Sequence, residues 1–258
     1  MIVKNIISPC WLAPEADLDR AADRAAEILS ASPVPVFFRA DDLGVPGDKC
    51  RRMLDLFRTR GVPLHLAVTP AWLTPARWNV LREWAGEDDL WCWHQHGWRH
   101  LNHQTSGKKG EFGTERNDAE LRADLTHGRD RLAEILGDAF RPVFTPPWNR
   151  FDPRVGPILK DLGFKAVSRS SGEDKKVPLP LGLPDLPINV DLHTRREEDP
   201  AEGLEHLIIE FKNAVAEGRV GLMLHHQRMN DAAFAFLDRC LEAVAGPDGP
   251  ELIRLDRL

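Results

Sequence analysis

The sequence lacks the patterns that mark membrane, secreted and zinc-finger proteins. None of its apolar runs approaches the length of a membrane-spanning helix, and the run at the amino terminus ends at Pro9, too early for the core of a signal peptide. The four cysteines (Cys10, Cys50, Cys92 and Cys240) include no CxxC pair. They therefore suggest neither a structural zinc site nor the disulfide framework of a small secreted protein. We expect reduced thiols, no membrane span and a cytoplasmic protein.

Basic charge and nucleotide-binding motifs are also scarce. With 34 Lys and Arg against 40 Asp and Glu, the net charge of −6 gives no support for a nucleic-acid partner. No GxGxxG or GxxxxGK[ST] motif follows a candidate strand, so no nucleotide site is predicted. The composition, 42% hydrophobic and 29% charged, is typical of a globular protein. Without a long linker or an internal repeat, we expect a single domain over residues 1–258.

Short apolar runs alternate with amphipathic segments along the whole chain. This order predicts an α/β protein with a parallel sheet, because parallel neighbours need crossover helices. A distorted (β/α)7-type barrel fits the seven candidate strands, and an open doubly wound sheet is the alternative. The segment 171–186 is rich in Pro and Gly and predicts a loop. The candidate strands are 34–40, 62–68, 90–94, 141–146, 164–169, 186–192 and 220–226, and the candidate helices are 14–31, 47–61, 75–86, 114–136, 152–163, 200–217 and 231–246.

Acidic and imidazole side chains follow strand after strand, where barrel enzymes carry their chemistry. The first strand leads into "RADDLG", the third into "HQHGWRH", the fourth into "TPPWN", the sixth into "NVDLH" and the seventh into "LHHQ". Asp41 and Asp42 are neighbours, so on a strand they point to opposite sides, but a bend at its end can bring both to the barrel mouth. An Asx turn before Gly44 is the structural alternative for this pair.

The stretch "WCWHQHGWRHLNH", residues 91–103, gathers four of the ten histidines. His96 and His100 are four residues apart, so on one helical turn they would share a face and chelate one ion. His100 and His103 are the alternative pair at a spacing of three, and His94 would lie on the strand. Two histidines and one carboxylate leave positions open on a metal, as hydrolysis by a bound water requires.

The motifs "FFRADDLG", "HGWRH", "FTPPWN" and "GLMLHH" resemble, in order and spacing, those of the polysaccharide deacetylase family, the NodB-homology carbohydrate esterases. The resemblance runs from about residue 34 to 230. It implies a divalent metal, usually zinc in that family, bound by Asp42, His96 and His100. It also implies that Asp41 is the general base and that His225 is the general acid. The backbone N–H of Trp148 would stabilise the oxyanion.

A sugar substrate would need flat apolar surfaces and polar partners around these groups. Indole rings offer such surfaces to pyranose rings, and Trp98 and Trp148 lie inside motifs while Trp72 follows the second strand. We therefore expect these tryptophans to contact the substrate, with Asn149, Asp191 and His226 beside them. Trp78 and Trp84 stand at helical spacing and are expected in the core.

Three positions depart from the family pattern. Thr145 stands where the family usually has an arginine that orients the base aspartate, and Arg39 or Arg150 are candidates to replace it. Asp191 matches the family's later aspartate loosely, and a turn residue is the alternative. His226 replaces the aspartate that often follows the terminal histidine, and the strand register decides which of His225 and His226 faces the mouth.

The sequence thus predicts a metal-dependent deacetylase acting on an acetylated sugar or a related small molecule, with N-acetyl favoured over O-acetyl. One alternative is a YdjC-like sugar deacetylase, since "RADDLG" resembles the opening motif of that group. Another is a barrel that binds a sugar or a metal without turnover, for which Thr145 is the main support.

Overall fold

Seven short parallel strands form the centre of the molecule. The computed structural model describes residues 6–87 and 89–257. Within this part, adjacent strands pair in parallel in the order β5-β4-β3-β2-β1-β7-β6. The predicted parallel α/β sheet is therefore confirmed. The strands are β1 Val36–Leu43, β2 Leu64–Val68, β3 Trp91–His96, β4 Phe140–Thr145, β5 Ala166–Val167, β6 Val190–Asp191 and β7 Val220–Leu224.

The extended segment that leads into β6 connects the two ends of this sheet. Leu186 N–H donates to Val167 O of β5, and Ile188 N–H donates to Arg169 O just after it. On the other side of the same segment, Asn189 N–H donates to Gly221 O of β7. The sheet therefore curls into a distorted barrel, which confirms the (β/α)7-type prediction against the open doubly wound alternative.

Helices cover the outside of the sheet and return the chain from one strand to the next. They are α1 Glu15–Ser30, α2 Asp48–Arg60, α3 Pro75–Ala85, α4 Asp118–Leu136, α5 Val155–Asp161, α6 Glu173–Lys176, α7 Pro200–Ala216 and α8 Asp231–Ala245. Helix α4 begins later than the predicted Thr114, because Asn117 and Glu120 form a capping box. The single turn α6 lies where only loop was predicted.

The strands are buried because helices lie over their outer face and side chains fill the interior. All five residues of β2, all five of β7 and all six of β3 are buried. Trp78 of α3 packs edge-on against Trp93 of β3, as its helical spacing predicted. The four cysteines are free and buried. Among the described residues, no helix combines the length and apolar character that a membrane crossing requires.

Candidate metal centre and active site

One carboxylate and two imidazoles converge at the mouth of the barrel. Asp42 Oδ1 lies 3.3 Å from His96 Nε2 and 3.2 Å from His100 Nε2. Two atoms that each lie roughly 2.1 Å from one zinc ion are about 3.0–3.5 Å apart, so these separations suit a shared ion. Asp42 Oδ1 is also buried without a hydrogen bond from any described residue. A buried anionic oxygen of this kind needs a cation.

A bulge at the end of β1 brings the two adjacent aspartates into one site. Ala40 pairs with Leu66 and Leu43 with Val68, so β1 has two residues where β2 has one. Asp42 takes the left-handed conformation, with φ 63°. This backbone turns Asp42 toward the histidines, although Asp41 precedes it directly. The predicted bend is therefore present.

The loop that carries His100 is not the helical turn that the four-residue spacing suggested. His96 is the last residue of β3, and residues 97–100 form no helix. Gly97 and His100 both have positive φ, 59° and 57°, and these two left-handed residues fold the loop back toward Asp42. The pair was identified for the wrong geometric reason, since a tight non-helical loop also brings residues four apart together.

A buried glutamate fixes this loop. Glu111 accepts hydrogen bonds from Trp98 N–H at 3.1 Å and from Arg99 N–H at 2.7 Å, and it is fully buried. A Cβ at position 97 would lie 2.1 Å from Glu111 Oε2, so the carboxylate can reach the loop only because residue 97 is glycine. Glu111 stands in a segment without sequence periodicity, and nothing in the sequence identified it.

Hydrogen bonds and charges prepare the histidines for a cation. His96 Nδ1 donates to Thr145 O at 3.0 Å, which leaves the lone pair of Nε2 directed at Asp42. Burial lowers the pKa of His96, but Asp42 and Asp41 raise it, and the pKa ends above its usual value. Burial lowers the pKa of His100 to about 4. Burial alone would raise the pKa of Asp42, yet the neighbouring imidazoles hold it well below its usual range.

Arg39 replaces the arginine that is absent at Thr145. Its Nε and Nη2 donate to the two carboxylate oxygens of Asp41 at 2.8 and 2.9 Å. Burial raises the pKa of Asp41, but Arg39 first, then His96 and His225, lower it, and the pKa ends below its usual value. Arg150, the other candidate, instead donates to Lys109 O. Thr145 Oγ1 is hydrogen-bonded to His94 Nε2 at 2.9 Å.

A cavity of about 740 Å³ opens above these groups, and it contains Asp41, His96, Trp148 and His225 in its wall. The strand register places His225 in this wall, whereas His226 is buried and faces a second cavity of about 660 Å³. Asp42 borders both cavities. Of the two neighbouring histidines, His225 is therefore the one that shares a cavity with Asp41.

The turn after β4 presents its backbone to the cavity. Trp148 and Asn149 both have left-handed φ, 56° and 59°. The Trp148 N–H makes no hydrogen bond to any described residue, and its indole lies 4.5 Å from the ring of His100. Asn149 Oδ1 accepts a hydrogen bond from Arg39 Nη2 at 2.5 Å, so Asn149 holds the arginine as well as lining the cavity.

Of the other residues predicted to contact a substrate, two border a cavity and one does not. Trp72 borders the second cavity, with its ring 5.8 Å from that of His100. Asp191 borders the main cavity, but its Oδ1 accepts from His193 N–H and Thr194 N–H, as the turn alternative expected. Trp98 is absent from both walls and packs beside His127 of α4. Its placement therefore does not support a substrate contact.

His193 is a buried cavity residue that sequence reasoning passed over. It is fully buried, it lies in the wall of the main cavity, and neither ring nitrogen has a hydrogen-bond partner among the described residues. Burial first, and the nearby His225 and Arg228 next, hold its pKa well below the usual value. The motif "NVDLH" contains this histidine, but the family resemblance pointed to Asp191.

A second group of potential ligands, formed by His65, Cys92 and Asp256, is structural. His65 Nδ1 donates to Phe38 O at 2.8 Å, and Leu255 N–H donates to His65 Nε2 at 2.9 Å. Both ring nitrogens are therefore occupied, and neither has a lone pair free for a metal. His65 instead fixes the carboxyl-terminal segment to β1.

Comparison with known proteins agrees with this geometry. The family profile described as polysaccharide deacetylase matches residues 35–167, just over half of the chain. A CE4 esterase from Streptococcus mutans is 14% identical, with a TM-score of 0.59 over 90% of this chain and 89% of its own. A protein from Mycobacterium smegmatis, provisionally described as a polysaccharide deacetylase, is 19% identical. Its TM-score is 0.58, over 79% of this chain and 72% of its own. At these identities the two structures establish a shared fold. No curated protein sequence shows significant similarity.

Proposed function

Because the chain belongs to the polysaccharide deacetylase family, we propose that it is a metal-dependent hydrolase. It would remove an acetyl group, N-acetyl in preference to O-acetyl, from a carbohydrate or a related small molecule. The observation that carries this proposal is the convergence of Asp42, His96 and His100 within 4.8 Å of one another, beside the buried Asp41–Arg39 pair.

A divalent metal, in the first place zinc, would be held by Asp42, His96 and His100. One carboxylate and two imidazoles suit zinc and leave positions open, and the unpartnered Asp42 Oδ1 supports this set. When bound, such an ion lowers the pKa of a water ligand toward 7 and polarises a carbonyl oxygen.

Asp41 would act as the general base. Its carboxylate lies in the wall of the cavity beside Asp42, and the Arg39 guanidinium keeps it ionised. An ionised carboxylate within reach of the attacking water can accept its proton. Arg39 would be a positioning residue, because it contacts Asp41 but does not itself line the cavity.

His225 would act on the leaving amine and Trp148 on the oxyanion. An imidazole that holds a proton near neutral pH can deliver it to the departing amine, and His225 faces the same cavity as Asp41. The Trp148 N–H has no partner among the described residues and would donate to the oxyanion of the tetrahedral intermediate. Trp72, Asn149, Asp191 and His226 border the two cavities and are the proposed substrate-contacting set.

The alternative of a barrel without turnover loses its main support. That reading depended on the threonine at position 145, which removed the family's arginine. Arg39 contacts Asp41 at both oxygens from a different strand position, so the base still has its cationic partner. A YdjC-like deacetylase would share the metal and the hydrolysis, and the family match favours the polysaccharide deacetylase group.

Acetate release tests the proposal. The zinc-loaded protein is incubated with N-acetylglucosamine oligomers and with acetylated monosaccharides, and acetate is measured. We expect release by the wild type, and loss of most of it in Asp41→Asn with the metal content unchanged. A protein that retains one equivalent of zinc yet releases no acetate from any acetylated sugar would support the non-catalytic barrel. Unchanged turnover in Asp41→Asn would remove the base assignment.

A further inference from the structure

The wall of the main cavity carries far more positive charge than the chain as a whole. The chain has a net charge of −6. Six cationic side chains nevertheless border this one cavity: Lys108, Lys109, Arg150, Arg195, Arg196 and Arg228. The acidic residues in the same wall are the catalytic pair Asp41 and Asp42, and Asp191. A positively charged cavity on a negatively charged chain indicates that the ligand of the cavity is an anion.

The cations come from four separate loops at the mouth. Lys108 and Lys109 belong to the loop between β3 and α4, and Arg150 follows the turn after β4. Arg196 lies between β6 and α7, and Arg228 follows β7. We call Lys108, Lys109, Arg150, Arg196 and Arg228 the basic rim. Residues so far apart in sequence converge only through the fold, unlike a run of surface charges within one segment.

Most of the basic rim lacks counter-ions, in contrast to Arg195. Arg195 is neutralised by Glu197 at 2.9 Å and by Glu210 at 3.0 Å, so it is excluded from the rim. Lys109, Arg196 and Arg228 form no ion pair with any residue in the described ranges, and Lys108 has only Glu173, 3.8 Å away.

Arg150 makes one hydrogen bond, to a backbone carbonyl, and its Nε is buried without a partner among the described residues. Asp191 forms no ion pair with these cations among the described residues, and its Oδ1 accepts hydrogen bonds from its own loop. The basic rim therefore keeps donors available for a ligand.

We propose that the substrate of the proposed deacetylase carries a phosphoryl group, and that the basic rim binds it while the acetyl group lies at Asp42, His96 and His100. Guanidinium groups donate two parallel hydrogen bonds to phosphate oxygens, and lysines add point charges. Several cations around one opening match a phosphate monoester or diphosphate better than a single carboxylate. The cavity, at about 740 Å³, is large enough for an acetylated sugar together with that group.

This inference rests on the proposed function, and a comparison of substrates tests it. Acetate release is measured with four N-acetylated sugars: N-acetylglucosamine 1-phosphate, UDP-N-acetylglucosamine, neutral di-N-acetylchitobiose and the carboxylate-bearing N-acetylmuramic acid. We expect kcat/KM to be at least tenfold higher for a phosphorylated sugar than for the neutral one. The two phosphorylated probes distinguish a monoester from a diphosphate. Equal values for neutral and phosphorylated sugars, or a preference only for the carboxylate, would overturn the proposal.

Variants assign the preference to the basic rim. In Arg196→Gln/Arg228→Gln the ratio of kcat/KM for the phosphorylated to the neutral sugar is expected to fall roughly tenfold or more, since charge-assisted hydrogen bonds are lost. The matched control, Lys165→Gln/Lys212→Gln, removes the same charge from exposed positions outside the cavity wall and should keep the wild-type ratio. Equal ratios in the wild type, the rim variant and the control variant would show that the basic rim does not bind the phosphoryl group.

Binding separates the failure of this inference from the failure of the proposed function. If no sugar releases acetate, the affinities of UDP-N-acetylglucosamine and of di-N-acetylchitobiose are compared by calorimetry on the zinc-loaded protein. Tighter binding of the phosphorylated sugar that is lost in Arg196→Gln/Arg228→Gln would support the rim even though the deacetylase proposal fails. Equal affinities for the two sugars would also overturn the proposal that the basic rim binds a phosphoryl group.

Discussion

Arg39 and Asp41 form a two-point ion pair inside the barrel, with nitrogen–oxygen distances of 2.8 and 2.9 Å. They are two residues apart on β1, so their side chains leave the strand on the same side. Both side chains are almost fully buried, at 0% and 3% exposure. Arg39 also donates to Ser168 O and to Asn149 Oδ1, so it connects β1 to the loops that follow β5 and β4.

Replacing Arg39 should shift the pH dependence of activity. Burial raises the pKa of Asp41 and Arg39 lowers it, so Arg39→Gln raises this pKa. Asp41 must be ionised to accept a proton, and the acidic limb of kcat/KM should therefore move to higher pH. Breaking a buried pair on one side should also cost about 3–5 kcal/mol of unfolding free energy.

Asn149→Ala controls for this effect, because it removes one contact of Arg39 and keeps the Arg39–Asp41 pair. It should shift the acidic limb less than Arg39→Gln does. If Arg39→Gln loses stability but keeps the wild-type limb, Arg39 is a structural residue without influence on the base.

Metal content should depend on His100 and not on its exposed neighbour His103. The Nε2 of His100 lies 3.2 Å from Asp42 Oδ1, whereas His103 is exposed and lies outside the cluster. Elemental analysis of purified His100→Ala is expected to show far less than one equivalent of zinc, because only two of the three proposed ligands remain. His103→Ala should retain a full equivalent. Full retention in His100→Ala, or loss in His103→Ala, would reassign the ligand.

Much of the fold followed from periodicity, because buried parallel strands and amphipathic helices differ in length and spacing. The seven strands were found, although β5 and β6 are two residues each where longer strands were expected. Their ladders are short because the segment before β6 pairs through isolated bridges at Val167 and Ser170. The single domain over residues 1–258 stays a prediction and includes residues 1–5, 88 and 258, which lie outside the described part. The cytoplasmic location of the protein also stays a prediction.

The candidate site was predicted less completely than the fold. The four-residue spacing pointed to His96 and His100, the family resemblance added Asp42, and the structure brings the three together. Glu111 lies outside every recognised motif, so no local spacing pointed to it. His193 lies in "NVDLH", where the resemblance pointed to Asp191 instead. Trp98 packs beside His127, and its contact with a substrate stays a prediction.

The loop between β3 and α4 offers a test of the close approach at Gly97. A Cβ there would lie 2.1 Å from Glu111 Oε2 and 2.6 Å from Pro147 Cγ. Gly107 is in the same loop and also has a positive φ, 75°, but no atom of the described residues lies within 4 Å of its Cβ position. Both alanine variants carry the left-handed strain of about 1–2 kcal/mol. Only Gly97→Ala adds overpacking, of about 1–3 kcal/mol.

We therefore expect Gly97→Ala to unfold at lower denaturant than Gly107→Ala and to bind zinc more weakly, since Glu111 fixes the backbone before His100. Denaturant unfolding and a zinc titration measure the two effects. Equal stability and equal zinc affinity in the two variants would show that the Glu111 contact does not hold the loop.

His65 should make the fold sensitive to acid independently of the metal site. Burial, the largest effect, lowers the pKa of His65 to about 4 from 6.5. Protonation would place a hydrogen on Nε2, where Leu255 N–H already donates. The unfolded chain therefore binds a proton between pH 6.5 and 4 that the folded chain does not, so stability falls as the pH falls through this window.

Between about pH 7.5 and 5 this residue alone should account for about 2 kcal/mol of lost unfolding free energy. In His65→Gln, which cannot titrate, the difference in unfolding free energy between the two pH values should shrink by that amount, even though the variant is less stable at both. His127→Gln, at an exposed position on α4, controls for the removal of a histidine. Urea unfolding at both pH values measures the difference, and an unchanged pH dependence in His65→Gln would show that folding does not shift the pKa of His65.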